Sequence, residues 1–203
     1  MVKRSSIILA GGRGKRMGDQ EKALLQYKGR TLIEHIIDVL DPLVEEIVVS
    51  VRDTRQQSVL EPYVKDRVVV MDQFRGIGPL AGIVEGLRAV NGKYTFLTAC
   101  DMPHLNACVV ELLFSTAIGH DAALPVHDNK RFEPLHAVYC SGPMLAATQK
   151  AIKMNEGFIL APISELEDVV VVGMKEIQRM DAKLGTFINV NTWEDVEKMV
   201  KGL

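Results

Sequence analysis

The alternation of short apolar runs with helix-like patterns constrains the fold of this 203-residue chain more than any other feature. Within each run the apolar residues are consecutive, which is typical of strands that are buried on both faces of a parallel sheet. The clearest runs predict strands at 6–10, 47–51, 67–71, 94–99 and 168–172, and a more irregular second half adds 121–125 and 135–139.

Between these runs, apolar residues recur at the spacing of one helical face. The two clearest faces consist of Ile33, Ile36, Ile37 and Leu40, and of Leu80, Ile83, Val84, Leu87 and Val90. Asn106 is predicted to cap a helix that ends near residue 118, and Thr192 is predicted to cap a last helix over 192–201. This alternation predicts a three-layer α/β fold with a mostly parallel central sheet and helices on both faces, in a single domain.

Composition and charge exclude several classes of protein. A net charge of −2 argues against broad affinity for nucleic acids or membranes, and no stretch approaches the roughly 20 apolar residues of a membrane-spanning helix. The apolar run that follows the polar N-terminus is too short for a signal peptide. Cys100, Cys108 and Cys140 lack a C-x-x-C spacing, which indicates free thiols and not a disulfide or a zinc site. We therefore expect a cytoplasmic protein.

Residues 8–22, ILAGGRGKRMGDQEK, are called here the first glycine segment, and they carry the strongest functional signal in the chain. Glycine allows a tight turn and a close approach of backbone N–H groups to a ligand, and successive N–H groups form an anion-binding concavity. The neighbouring cations match phosphate oxygens. The segment therefore predicts a nucleoside triphosphate site, with a charged surface turn between a strand and a helix as the alternative.

Two familiar glycine motifs do not fit this segment. A Walker A motif needs Ser or Thr after Gly14-Lys15, where Arg16 stands, and an earlier glycine where Leu9 stands. The dinucleotide-binding motif needs a third glycine where Met17 stands. A P-loop hydrolase and a nicotinamide dehydrogenase are therefore both disfavoured.

Carboxylates follow two of the predicted strands, at the end where open α/β sheets bind their ligands. Asp101 follows one strand, and a single aspartate can hold Mg²⁺ when substrate phosphates and water complete the coordination. A turn-capping role is the alternative because Pro103 lies close by. Asp72 follows another strand and precedes a second glycine segment, 76–83. An ordinary loop with a proline near a helix start is the alternative for that segment.

Five motifs occur in order along the chain: LAGG-x-x-x-RMG-x-x-x-K from Leu9, GPLAGI from Gly78, D-x-P from Asp101, E-P-L-x-A-x-Y at 133–139 and N-x-N-T at 189–192. This combination, within Ile8 to Val196, resembles the molybdenum cofactor guanylyltransferases, which belong to the wider nucleotidyltransferase group. Many nucleotidyltransferases share the first motif, whereas its combination with GPLAGI and N-x-N-T is more specific. A related cytidylyltransferase branch typically reads LAAG, so Gly11-Gly12 favours the guanine branch.

The resemblance implies a Rossmann-like nucleotidyltransferase fold and a reaction in which GTP and molybdopterin cofactor give the guanine dinucleotide cofactor and pyrophosphate. Mg²⁺ would assist, with Mn²⁺ as a substitute. A phosphate monoester has a second pKa of about 6 and is mostly dianionic near neutral pH, so no general base is needed. Catalysis should therefore consist of positioning and charge neutralisation. Cofactor-insertion proteins or molybdoenzyme chaperones are further implied partners.

The resemblance also implies roles for individual residues. The catalytic residues would be Arg16 and Lys22, which neutralise the β- and γ-phosphates, and Asp101, which holds the metal ion. The nucleotide-binding residues would be Leu9, Ala10, Gly11, Gly12, Gly14, Lys22, Ser50, Asp72, Gly78, Pro79, Leu80 and Asp101.

Some of these positions have simpler explanations. Lys22 could instead form a salt bridge with Glu21 or Asp19. A direct contact of Asp72 with the guanine N1–H and N2–H donors is a hypothesis, and a capping role is the alternative for this residue. Ser50, at the end of the second strand, is a weaker candidate for the ribose side.

The acceptor is expected to bind to the half formed by residues 106–203, whereas 1–105 form the nucleotide-binding half. The implied acceptor-binding residues are Arg131, Glu133, His136, Asn189 and Asn191, with the two asparagines pointing the same way along a strand. The alternatives are a satisfied polar pair of Glu133 and His136, and a turn before the last helix at the asparagines. The chain departs from the family pattern at 155–159, which lacks the usual arginine, and at Trp193, where proline is usual.

Two other functions stay open from the sequence. One is transfer of a different nucleotide, such as cytidylyl transfer, or transfer to another acceptor such as a phospholactate or a sugar phosphate. The other is a nucleotide-binding chaperone without turnover, whose signature would be the loss of Asp101 or Lys22, and both are present. The sequence motifs are compatible with a molybdenum cofactor and with a tungsten cofactor alike.

Overall fold

The computed structural model describes residues 2–12, 20–74, 76–192 and 194–197. The strands are β1 (Arg4–Leu9), β2 (Gln26–Tyr27), β3 (Arg30–Thr31), β4 (Glu46–Val51), β5 (Val68–Met71), β6 (Tyr94–Ala99), β7 (Ala122–Val126), β8 (His136–Cys140) and β9 (Val169–Gly173). The helices are α1 (Leu32–Leu40), α2 (Thr54–Val64), α3 (Leu80–Ala89), α4 (Ala107–Ala117), α5 (Ser141–Lys153), α6 (Leu160–Ile163) and α7 (Met174–Ile177). Short 3₁₀ helices cover Lys22–Leu24 and Gly185–Phe187.

Seven strands form one sheet in the order β5-β4-β1-β6-β8-β7-β9, and β2 pairs with β3 in a separate hairpin. All neighbours in the large sheet are parallel except β8, which is antiparallel to β6 and β7. Leu9 at the end of β1 lies opposite Ser50 in β4 and Ala99 in β6. The carboxyl ends of three neighbouring strands therefore meet at one edge, as parallel pairing requires.

Successive buried residues in the strands supply apolar contacts to both faces of the sheet. In β1, Ile7 and Ile8 belong to different apolar clusters, one on each face of the sheet. The cluster around Ile8 packs against α1, α2, α4 and α7, and the cluster around Ile7 packs against α3, α5 and α6. The predicted three-layer α/β fold with a mostly parallel sheet is confirmed.

The two predicted helix caps are present. The Asn106 side chain accepts hydrogen bonds from the backbone N–H groups of Cys108 and Val109, at 2.9 and 3.4 Å. Thr192 Oγ1 accepts from the N–H of Asp195 at 3.1 Å, and residues 194–197 are helical; the rest of the predicted last helix lies outside the described residues. These side chains satisfy N–H groups that a helix start otherwise leaves unpaired.

The sequence patterns did not predict α2 and α5. Their buried faces include polar or small side chains, which weakens the apolar periodicity on which the prediction rests. The buried residues of α2 are Gln56, Leu60 and Val64, and those of α5 are Met144, Ala147, Thr148 and Ala151. The three cysteines are free thiols, as predicted. Within the described ranges, none of the helices combines the length and apolar character that crossing a membrane requires.

Candidate active site

A cleft of about 420 Å³ opens at the carboxyl ends of β1, β4, β5 and β6. Most of the predicted nucleotide-binding residues line it. The lining residues are Leu9, Gly11, Gly12, Lys22, Ser50, Asp72, Gly78, Pro79, Gly82, Ala99, Cys100, Asp101 and Leu135. The position matches the rule that ligands of α/β sheets bind outside the carboxyl ends of the strands.

Lys22 and Asp101 form the charged centre of the cleft. Lys22 Nζ lies 3.2 Å from Asp101 Oδ2 and donates a hydrogen bond of 2.8 Å to Asn191 Oδ1. The Lys22 and Asp101 side chains are only 15% and 19% exposed, so solvent screens their charges less than it would at the surface. Among the cleft-lining residues that the structure describes, Lys22 is the only cation. A phosphate entering the cleft would therefore meet this ammonium group.

The alternative prediction of a salt bridge between Lys22 and Glu21 is wrong. Glu21 Oε1 instead accepts a 2.6 Å hydrogen bond from Arg52 Nη2, while Lys22 turns towards Asp101 and Asn191. Asp19, the other suggested partner, lies outside the described residues.

The second carboxylate of the cleft, Asp72, is held by Ser50. Ser50 Oγ donates to Asp72 Oδ1 at 2.7 Å. Burial raises the pKa of Asp72, and the hydrogen bond from Ser50 opposes that rise. A Cβ atom on Gly11 would lie 3.0 Å from Asp72 Oδ2, so the first glycine segment approaches this carboxylate closely.

Gly82 in α3 was not predicted as a site residue, although it lies within GPLAGI. A Cβ atom placed on it would lie 2.9 Å from Leu9 Cδ2, 3.2 Å from Asp72 Oδ1, and still closer to Ser50 Oγ. The absent side chain therefore allows α3 to approach β1 and β4 and leaves the Ser50–Asp72 pair undisturbed. The available signal was the recurrence of glycine at every fourth position, at Gly78 before α3 and at Gly82 and Gly86 within it.

Other predicted nucleotide-binding residues do not all face the cleft. Ala10 and Leu80 are buried in the core beside it, and Ala10 contributes through its backbone carbonyl, which accepts from Gln56 Nε2 at 2.8 Å. Gly14 and Arg16 lie outside the described residues. Gly78 has a φ of +59°, and a Cβ atom there would lie 3.0 Å from the carbonyl oxygen of Gly157. The second glycine segment thus touches the loop that departs from the family pattern.

Ala99, Cys100 and Leu135 also line the cleft without having been predicted. Ala99 is the last residue of β6 and Cys100 follows it, whereas Leu135 directly precedes β8. Only the order of the strands in the sheet therefore brings Leu135 to the cleft. Burial raises the pKa of the Cys100 thiol. Cys100 therefore stays protonated near neutral pH and contributes apolar surface to the cleft and no nucleophile.

The predicted acceptor-binding residues are not gathered around the cleft. Glu133 Oε1 lies 2.9 Å from Arg131 Nη2 and 2.7 Å from His127 Nε2, so the ion-pair alternative holds for Glu133 with partners other than His136. The segment 188–191 lies outside the sheet, and the predicted strand there is wrong. Asn189 is exposed, whereas Asn191 reaches Lys22 because the N–H of Val190 donates to the carbonyl of Asp101 at 2.8 Å.

The structure contradicts the prediction that His136 lines an acceptor pocket. The side chain is completely buried, with ring centroids 5.2 Å from Phe96 and 4.8 Å from Phe187. Its Nε2 atom lies 3.1 Å from Thr186 Oγ1. His136 lies on the same face of β8 as Val138, which belongs to the apolar cluster around Ile8, whereas Leu135, in the turn before β8, lines the cleft.

Burial of His136 gives a pH-dependent term in the stability of the fold. It lowers the pKa of His136 to about 3, so the folded state keeps this ring neutral while the unfolded chain protonates it near pH 6.5. Stability is therefore lost as the pH falls from about 6.5 towards 3. We expect His136→Phe to reduce the loss of unfolding free energy between pH 7 and pH 5 by about 2 kcal/mol, measured by urea denaturation. An unchanged pH dependence would contradict this assignment.

Comparison with known proteins places the chain in a family. Residues 6–169 match the family model described as MobA-like NTP transferase domain. A relative from Methanosarcina mazei, named probable molybdenum cofactor guanylyltransferase, is 44% identical over 202 residues, which cover 97% of this chain and 90% of the relative.

Solved structures show the same fold. Molybdopterin-guanine dinucleotide biosynthesis protein A from Archaeoglobus fulgidus matches with a TM-score of 0.81 at 29% identity, over 97% of each chain. A Mycobacterium tuberculosis protein solved in complex with manganese matches with a TM-score of 0.68 at 14% identity, over 98% of each chain, which concerns the fold alone. The sequence motifs, the fold and the matching relatives agree, so the chain belongs to the molybdenum cofactor guanylyltransferase family of MobA-like NTP transferases and is a nucleotidyltransferase.

Proposed function

We propose that the protein transfers GMP from GTP to the molybdopterin cofactor and releases pyrophosphate. The observation that carries the proposal is a cleft in which one cation, Lys22, and one carboxylate, Asp101, lie 3.2 Å apart at the end of the sheet, with Asp72 also lining the cleft. Relatives named for this activity align over nearly the whole chain. A cation such as Lys22 can bind the phosphates of a nucleotide, and a carboxylate such as Asp72 can accept hydrogen bonds from its base.

The phosphates of GTP would lie against the backbone of Gly11 and Gly12 and the ammonium group of Lys22. Arg16, outside the described residues, is proposed to add a second charge. In this arrangement Lys22 exchanges its contacts with Asp101 and Asn191 for the β- and γ-phosphates. The positive charge then stabilises the pyrophosphate that leaves.

Asp101 fits a divalent cation that is bound mainly by its substrate. Across the described ranges, no three His, Cys, Asp or Glu side chains cluster into a metal centre. Mg²⁺ commonly binds through one or two carboxylates together with phosphate oxygens and water, and Asp101 offers one carboxylate in the cleft. Bound there, Mg²⁺ or Mn²⁺ would supply Lewis-acid polarisation of the phosphoryl group.

The chemical step needs no general base from the protein. A phosphate oxygen of the pterin cofactor forms a bond to the α-phosphorus of GTP, and the bond from that phosphorus to the bridging oxygen breaks, so pyrophosphate leaves with the electron pair. The attacking monoester is mostly dianionic near neutral pH. This chain's contribution is therefore the alignment of two anions and the neutralisation of their charge.

The acceptor is proposed to approach from the half formed by residues 106–203. Asn191 contacts Lys22 and is the strongest candidate, with Asn189, Arg131 and Glu133 as further candidates. A cytoplasmic location and transfer of the product to cofactor-insertion proteins or chaperones remain predictions from the sequence.

A turnover assay tests the proposal directly. The protein is incubated with Mg²⁺, the molybdopterin cofactor and GTP, CTP or ATP, and the product is identified by mass. We expect the guanine dinucleotide and pyrophosphate from GTP alone. A cytidine or adenine product would establish a different nucleotide specificity, and binding of GTP without any product would indicate a chaperone.

Asp72 is proposed to read the guanine base. One carboxylate can accept from the N1–H and N2–H groups together, whereas the amide of Asp72→Asn presents a donor to one of them. We expect this variant to lose about tenfold to a hundredfold in kcat/KM for GTP and little for ATP. Steady-state kinetics with both nucleotides measure the preference, with Asp66→Asn, an exposed aspartate, as the matched control. An unchanged GTP/ATP ratio would show that Asp72 makes no contact with the base.

A further inference from the structure

Two side chains outside the cleft, those of Arg52 and Gln56, connect the described ends of the first glycine segment. Gln56 is completely buried in the first turn of α2. Its Nε2 atom donates to the carbonyl of Ala10 at 2.8 Å and to Glu21 Oε2 at 2.5 Å, and its Oε1 atom accepts from the N–H of Arg52 at 2.7 Å. One amide thus joins the residue before the glycines to the residue before Lys22.

Arg52 makes the same connection from the end of β4. Its Nη2 atom donates to Glu21 Oε1 at 2.6 Å, its Nη1 atom to the carbonyl of Gly11 at 3.3 Å, and its Nε atom to Asp53 Oδ2 at 3.0 Å. Both oxygens of Glu21 are therefore bound, one by the guanidinium group and the other by the buried amide. The charge of Arg52 is matched by two carboxylates, which makes it a poor partner for phosphate.

Glu21 is the residue through which these contacts reach the site. It directly precedes Lys22, and its carbonyl accepts the N–H of Leu24 at 2.9 Å at the start of the 3₁₀ helix Lys22–Leu24. Movement of Glu21 would therefore rotate the backbone that carries Lys22. A long lysine side chain has many conformers, and fixing its backbone reduces the entropy lost on binding phosphate.

We propose that Arg52 and Gln56 are positioning residues. They hold Glu21 and, through its backbone, keep Lys22 in position to bind phosphate beside the end of β1. We call Arg52, Gln56 and Glu21 the Glu21 clamp. This inference rests on the proposed binding of GTP at the cleft. The clamp touches neither phosphate nor metal ion, and its effect on nucleotide binding passes through Lys22.

Calorimetric titration of GTP with Mg²⁺ tests the clamp. We expect Arg52→Met and Gln56→Leu to weaken GTP binding about tenfold or more, because each removes hydrogen bonds to a carboxylate. The matched controls are Arg55→Met and Gln57→Leu, the same changes at exposed positions of α2, and they should leave affinity within about twofold of the wild type. Equal effects in the clamp variants and the controls would overturn the proposal.

A second background separates positioning from a general effect on the fold. When Lys22→Met is already present, Arg52→Met should change GTP affinity by no more than about threefold, because the group that the clamp positions is gone. A purely structural role, or a direct contact of Arg52 with phosphate, would produce the same tenfold loss in both backgrounds and would overturn the inference. The melting temperature of each variant shows whether the titrated protein is folded.

Exchange of donor and acceptor offers a rescue. Gln56→Glu places a carboxylate against that of Glu21 and should weaken GTP binding further, whereas combining it with Glu21→Gln restores one donor between the two side chains and should recover part of the affinity. No recovery in a folded double variant would count against the clamp. A wild-type protein that binds no GTP would instead overturn the proposed function, and this inference with it.

Discussion

Asp101→Asn is expected to lower the rate of guanylyl transfer by about three orders of magnitude. The variant keeps the shape of the side chain and the hydrogen bond from the backbone of Val190 to the carbonyl of residue 101. It removes the negative charge that is proposed to hold the divalent cation beside Lys22. An amide oxygen is a weaker ligand for Mg²⁺ than a carboxylate. Pyrophosphate release under saturating GTP and Mg²⁺ measures the effect on kcat.

The fold should survive this change, because both members of the Lys22–Asp101 pair keep some exposure to solvent and residue 101 lies in the turn after β6, outside the strand itself. A melting temperature within a few degrees of the wild type would confirm this. Asp66→Asn, at an exposed position outside the cleft, is the matched control and should retain full activity. An Asp101→Asn enzyme with nearly normal kcat would exclude Asp101 as the residue that holds the metal ion.

Lys22→Met is expected to have the second largest effect, with a loss of about a hundredfold in GTP affinity. Methionine keeps an unbranched apolar stem of similar length, so the packing around the 3₁₀ helix should be preserved. The ammonium group that contacts Asp101 and Asn191 is lost, and the phosphates would meet an uncompensated carboxylate. Calorimetric titration of GTP measures the affinity directly.

Lys28→Met, at an exposed position in the turn between β2 and β3, is the matched control for the loss of one positive charge. It should bind GTP with an affinity close to that of the wild type. If the two lysine variants bind equally well, the cation at the centre of the cleft has no special role and nucleotide binding depends on other groups. A loss confined to kcat would place Lys22 in the chemical step and not in ground-state binding.

Local patterns sufficed for much of the architecture and for part of the site. The consecutive apolar residues of β1, the cap at Asn106 and the glycines before Lys22 each reflect a requirement that neighbouring residues in the chain impose. Asp72 and Asp101 were recognisable because each lies within two residues of the end of a strand that meets the ligand side of the sheet. The short β2–β3 hairpin and α2 were not recognised, since α2 buries the polar Gln56 and shows little apolar periodicity.

Contacts between distant parts of the chain were decided only by the tertiary structure. Lys22 and Asn191 are 169 positions apart, and they meet because Val190 is hydrogen-bonded to Asp101 at the end of β6. Glu133 pairs with Arg131 and His127 and not with His136, because the register of β8 turns His136 into the core.

The sequence by itself thus determined the seven strands of the large sheet, two helix caps, the family and the residue types at the strand ends, because these depend on the identity of residues close together in the chain. Only the tertiary structure decided that Gly82 lies against Ser50 and Asp72, and that Arg52 and Gln56 donate hydrogen bonds to the Glu21 carboxylate. Such pairings depend on the order and register of strands, and a difference of one residue in register turns every side chain of a strand to the opposite face.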